Sequence, residues 1–199
     1  MNTEMKFAEN VFLIDTAFLK NFVSPLREYL RRRLEREISP LDWPLWLNCL
    51  ALDMGIELSD KNENQVILLH DEDTRSLDCC DPSDLQYLDG KACRTGGGEF
   101  TFCCVTPAEM TDVTSLFIDL MTLALDSSEV KQLLLLPYGD ENIDRIMDAI
   151  DRISADGSQE ALKKVCFFST DNPPRPVDYA WDKALYSVTY AMGIKEEEI

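Results

Sequence analysis

Five short apolar runs constrain the fold of this chain more than any other feature. They are VFLI (11–14), QVILLH (65–70), EFTFCCV (99–105), QLLLL (132–136) and VCFFST (165–170). Each has the length of a strand, and each is apolar almost without interruption instead of alternating, the pattern of a strand buried on both faces of a parallel sheet. Helical patterns lie between most of them. SPLREYLRRRLEREI places Ser24 and Pro25 at cap and first-turn positions and repeats Leu26, Leu30 and Leu34 at the helical interval. LDWPLWLNCLALDMG has Pro44 near its start and Gly55 at its stop, and DPSDLQYLDG reads as one or two turns closing at Gly90. TDVTSLFIDLMTLAL is a largely buried helix starting near Thr111 or Asp112.

The last third reads as strand, helix, strand: QLLLL, then ENIDRIMDAIDRI with Ile143, Ile146 and Ile150 on one face, then VCFFST. After the rigid DNPPRP, VDYAWDKALYSVTYAMG reads as a closing amphipathic helix with Val177, Trp181, Leu185, Val188 and Met192 facing the core. The elements add up to a three-layer α/β domain with a mostly parallel five-stranded central sheet and helices on both faces. With 199 residues, 45% of them hydrophobic, the chain is expected to form one domain that buries roughly 70% of its unfolded surface. Residues 1–9 and 194–199 are expected to fray.

Charge narrows the partners. Asp and Glu number 37 against 19 Lys and Arg, a net charge of −18, which repels phosphate backbones and anionic membranes. No apolar stretch reaches membrane-spanning length and MNTEMKFAEN has no apolar signal core, so the expected compartment is the cytoplasm. The seven cysteines fit it: none has C-x-x-C spacing, and Cys49 and Cys166 lie within apolar runs, so buried reduced thiols are expected.

In a parallel α/β sheet, ligands gather at the carboxyl ends of the strands. Acids follow each of the five runs there: Asp15, Asp71 with Asp73, Glu109, Asp140 and Asp171. Carboxylates converging in a cleft bind Mg²⁺ or Mn²⁺ and orient water for attack on a phosphodiester. Acids are so frequent in this chain that the coincidence alone is weak, and an Asp between strand and helix also serves as a helix cap. His70 is the only histidine and has no nucleophilic partner in view, which favours a structural role at a strand end. TGGGEF (95–100) precedes a strand, not a helix, and lacks phosphate-loop spacing, so it reads as a flexible turn. Arg27, Arg31, Arg32, Arg33 and Arg36 concentrate on one helix. They form the one candidate nucleic-acid contact, against the plainer reading of a solvated helix with i, i+4 pairs that also faces acids elsewhere in the fold or in a second subunit.

VFLID followed by a helix, TSLFIDLMTLAL carrying Asp119, and VKQLLLLPYGDENI followed by a helix and KKVCFF together resemble the skeleton of the NYN branch of PIN-like nucleases. The resemblance implies a Rossmann-like, PIN-like fold. It also implies catalytic acids at Asp15, Asp119 and Asp140, with Asp15 and Asp140 as ligands of Mg or Mn. The departures fall at the motifs: PYGDEN lacks the family's Ser, Asn142 and Ile143 stand where a second Asp and a Phe are expected, and Val113 replaces a helix acid. The chain also resembles a domain-of-unknown-function family of gut anaerobic bacteria, which implies no activity. Two functions follow as expectations. The favoured one is a non-catalytic interaction or regulatory module, with a protein partner or a second copy; the alternative is a divalent-metal-dependent phosphodiesterase or RNase.

Overall fold

Asn10–Asp15 (β1) is buried at every position, as its unbroken apolar sequence requires. It forms the centre of the sheet, paired in parallel with Glu63–Leu69 (β3) on one side and Gln132–Leu136 (β7) on the other. The computed structural model describes residues 6–155 and 159–198. Between β1 and β3 lie Ser24–Arg33 (α1), Leu41–Asp42 (β2) and Trp43–Asp53 (α2). Cys80–Asp81 (β4) pairs with β2 in a small separate sheet. Ala92–Thr95 (β5) and Gly98–Val105 (β6) form a hairpin, followed by Val113–Asp126 (α3). After β7 come Asp140–Ala155 (α4), Gln159–Leu162 (α5), Val165–Ser169 (β8), Ala180–Lys183 (β9) and Leu185–Ala191 (α6).

The main sheet has seven strands in the order β5-β6-β3-β1-β7-β8-β9, and only β5 runs antiparallel to its neighbour. All five expected strands are present and parallel, but the expectation of a five-stranded sheet is corrected to a mixed seven-stranded one. The two additions are edge strands, each paired on one side only, so neither β5 (ACRT) nor β9 (AWDK) carries a continuous apolar run. Counted along the chain, the six parallel strands lie in the order 3-2-1-4-5-6, which reverses between β1 and β7 and opens a crevice at their carboxyl ends.

Alternate residues of each strand feed two cores. On one face Phe12, Ile14, Val66, Leu68, Leu134, Leu136 and Phe168 meet Trp43, Trp46, Leu47 and Leu50 of α2 and Val188 and Met192 near α6. On the other, Val11, Leu13, Ile67, Leu133, Leu135 and Phe167 meet Phe117, Leu120 and Met121 of α3 and Ile146, Met147 and Ile150 of α4. Removing a ring such as Phe12 or Phe167 from these layers costs on the order of 3–5 kcal/mol. A buried pair at the amino end pins the register: Asn10 Nδ2 donates to Asn64 Oδ1 at 3.0 Å, and Asn64 Nδ2 donates to the carbonyls of Gly97 and Glu99.

Two helical expectations change. Ser24 and Pro25 open the regular part, α1, of a longer helical segment that begins at Ala17, in which Leu19–Val23 is wound as a π-helix. Pro25 has no N–H for the carbonyl one turn back, and the wider turn accommodates it. The closing helix shortens to α6, because Ala180–Lys183 is drawn into the sheet beside β8. Trp181 stacks on Phe167 with ring centroids 4.2 Å apart and, with Val177, joins the α3/α4 core, whereas Val188 and Met192 enter the opposite one. Leu185 is exposed.

The Gly-rich turn between β5 and β6 is held in place. Asn48 Oδ1 accepts from Thr95 Oγ1 and the Gly97 N–H, each at 2.9 Å, and Gly98 has φ +109° with the Asn62 carbonyl filling the place where a Cβ would stand. At the ends expected to fray, Phe7 and Ile194 are buried and Arg36 bonds the Glu198 carboxylate at 2.9 Å. Residues 1–5 and 199 lie outside the described residues.

Candidate functional site

A run of cavities follows the carboxyl edge of the sheet. The central one, about 340 Å³, is lined by Asp15 and Ala17 after β1, Asp71 and Thr74 after β3, Asp112–Thr114 at the start of α3, and Asn142 and Arg145 of α4. Asp15 is its most buried acid, with 6% of its surface exposed. Its Oδ1 accepts the Ala17 N–H at 2.9 Å, so the carboxylate caps the helix that β1 feeds. Burial pushes its pKa from 3.8 up to about 6; the Ala17 amide opposes this, the Asp71 charge adds to it, and the Tyr138 amide opposes it.

The other two acids of this cavity also serve the fold. Asp71 Oδ1 accepts from both the N–H and the hydroxyl of Thr74 at 2.9 Å, which closes the loop after β3. Asp112 caps α3 through the Ser115 N–H at 2.7 Å, and its two oxygens face the Arg145 guanidinium at 3.3 Å. The Ser115 amide is the main cause that holds this carboxyl below its ordinary range, with Arg145 in support. Asn142 donates to the Tyr138 carbonyl at 2.8 Å, joining α4 to the end of β7.

None of these cavities is lined by more than one of the three acids implied by the nuclease resemblance. Asp15 lines the central cavity. Asp140, exposed at the first position of α4, lines two adjoining cavities nearer β8. Asp119 is exposed on α3 and lines none of these. Among the described residues, no group of three or more His, Cys, Asp or Glu side chains is arranged to hold a metal ion. His70 lies on the far side of Asp71, in a cavity of about 250 Å³ shared with Arg75, Gln86 and Asp89, and its Nδ1 is 3.1 Å from the Asp71 carbonyl.

Thr74, Asn142 and Arg145 carry no sequence signal of a site, because Thr74 follows β3 while Asn142 and Arg145 lie on α4, and only the fold brings them together. Asp112 was legible as a helix start but not as a wall of the cavity. All seven cysteines are free; Cys79 and Cys80 are buried with their sulfurs 3.7 Å apart, and burial pushes the Cys104 and Cys166 thiols up to about 12.

The arginine helix spends its charge within the molecule. Arg27 donates to the carbonyls of Ile38 and Asp78, Arg31 and Arg32 both pair with Glu28, and Arg36 pairs with Glu198. The i, i+3 and i, i+4 pairs and the contact to a distant acid match the plainer reading of this helix.

Fold and site together define a layered α/β domain with a polar, acid-lined crevice where the strand order reverses. The chain belongs to a family of unknown function (DUF6621), whose model matches residues 4–199. No curated protein and no solved structure matches it. Among the described residues, no helix is long and apolar enough to cross a membrane.

Proposed function

We propose that this protein is a Rossmann-like, PIN/NYN-like domain of the cytoplasm that works as a non-catalytic interaction or regulatory module. One observation carries the reading: the acids around the central cavity are committed to the fold's own donors. Asp15 holds the Ala17 amide, Asp71 holds Thr74, and Asp112 holds Ser115 and Arg145. Among the described residues, no third His, Cys, Asp or Glu side chain is grouped with these acids to complete a divalent-cation site. The net charge of −18 and the internal pairing of the arginine helix further oppose an RNA substrate.

The test is Mn²⁺-dependent cleavage of single-stranded RNA by the full chain and by Asp15→Asn. The expected result is no cleavage by either. Cleavage by the wild type that is lost in Asp15→Asn would establish the metal-dependent phosphodiesterase instead, with Asp15 and Asp140 as ligands of Mg or Mn and Asp119 in support.

A further inference from the structure

Beside the central cavity, two others adjoin, of about 270 and 390 Å³, and share Asp140, Ile143 and Ser169. Together they form one groove across the ends of β7 and β8. Pro174, Trp181 and Ile143 give it an apolar wall at one end, and half-buried Phe22 borders the other, which Tyr138, Gly139 and Thr170 also line. We infer that this groove is the docking site for a basic segment of a partner protein, with an apolar side chain seated against Ile143 and Lys or Arg side chains reaching Asp140, Asp144 and Asp171.

Charge complementarity identifies the occupant. Asp140, Asp144 and Asp171 are the charged residues lining the groove, and no Lys or Arg lines it. Among the described residues none of the three forms an ion pair, although other acids of the same region do: Asp148 and Asp151 of α4 hold Arg175 at 2.7 and 2.8 Å, and Asp112 holds Arg145. Asp140, Asp144 and Asp171 are thus left for an incoming cation, the Asp171 carboxylate accepting only the Thr170 hydroxyl at 2.8 Å. A nucleic acid is repelled by such a lining, and among the described residues no cluster of three acids is arranged for a bare metal ion.

The walls are also rigid, which lowers the ordering cost of binding. Trp181 is fixed by its stack on Phe167 and by an Nε1–H bond to the Asp171 carbonyl at 2.9 Å. The loop that carries Pro174 is tied down one residue later, where Arg175 meets α4.

This inference rests on the interaction-module reading and names the partner's chemistry. The probe is a fluorescein-labelled peptide of alternating Lys and Leu, titrated with the full chain, with amide chemical shifts recorded in parallel. Asp144→Lys is compared with Glu129→Lys, an equal charge change at the opposite edge of the sheet, and with Ile143→Ala. Asp144→Lys should weaken binding about tenfold or more, Ile143→Ala several-fold and Glu129→Lys less than about twofold. The shifts should concentrate at residues 138–144 and 169–174. Equal weakening by Asp144→Lys and Glu129→Lys, shifts spread over the acidic surface, or no binding would overturn the groove. None of these results touches the reading of the domain as non-catalytic, which fails only on Mn²⁺-dependent cleavage.

Discussion

Asp15 shows how one carboxylate at a strand end can be tied into the fold, by the Ala17 amide that it accepts. Its position at the end of β1 was legible from VFLID, because an apolar run must stop where the chain leaves the sheet. Its hydrogen bonds were not, since the Tyr138 amide and the Asp71 charge arrive from strands far away in sequence. Native Asp15 releases its proton near 6 and the unfolded chain near 3.8, so between these values the native state holds more protons. Stability from this group is therefore present at low pH and is lost as pH rises through that window, a cost of about 3 kcal/mol once the carboxyl is ionised. Asp15→Asn keeps an acceptor for the Ala17 N–H and removes the ionisation. In urea denaturation, its stability relative to the wild type should rise by up to about 3 kcal/mol from about pH 4 to about pH 8. A gap that does not change with pH would contradict the burial argument.

At the scale of elements, the sheet and its hairpins decide what sequence patterns can reveal. Strands buried on both faces, β1, β3, β7 and β8, announce themselves, and the half-buried β6 was legible with them. Edge strands do not: β5 alternates exposed and half-buried positions, and β9 is four residues long with one large apolar side chain. The helical spacing of Val177, Trp181, Leu185, Val188 and Met192 misleads because the first two and last two pack on opposite faces of the sheet. The Gly-rich turn was legible as a turn, but its fastening by Asn48 of α2 was not. Gly98→Ala places a Cβ against the Asn62 carbonyl at positive φ, and it should cost about 2 kcal/mol or more in chemical denaturation. A loss below about half a kcal/mol would mean that the β5–β6 turn relaxes freely.

The whole molecule is built on a mixed α/β sheet that keeps a crevice where the strand order reverses and lines it with acids that hold the chain together. The carboxyl edge divides into two regions of different character. Around β1 and β3 the carboxylates cap helices and loops; beside β7 and β8 they face an open groove without cationic partners. Sequence reasoning located the edge and the acids but could not separate these roles, because the separating residues Arg145 and Arg175 act through tertiary contacts. The central claim is that the acids of the crevice serve the fold and not a metal. Thermal unfolding of the wild type and Asp15→Asn with and without about 5 mM Mn²⁺ near neutral pH tests it directly, because a cation bound only to the native state must raise the melting temperature. The account predicts no Mn²⁺-dependent shift for either protein; a clear rise in the wild type that disappears in Asp15→Asn would contradict it.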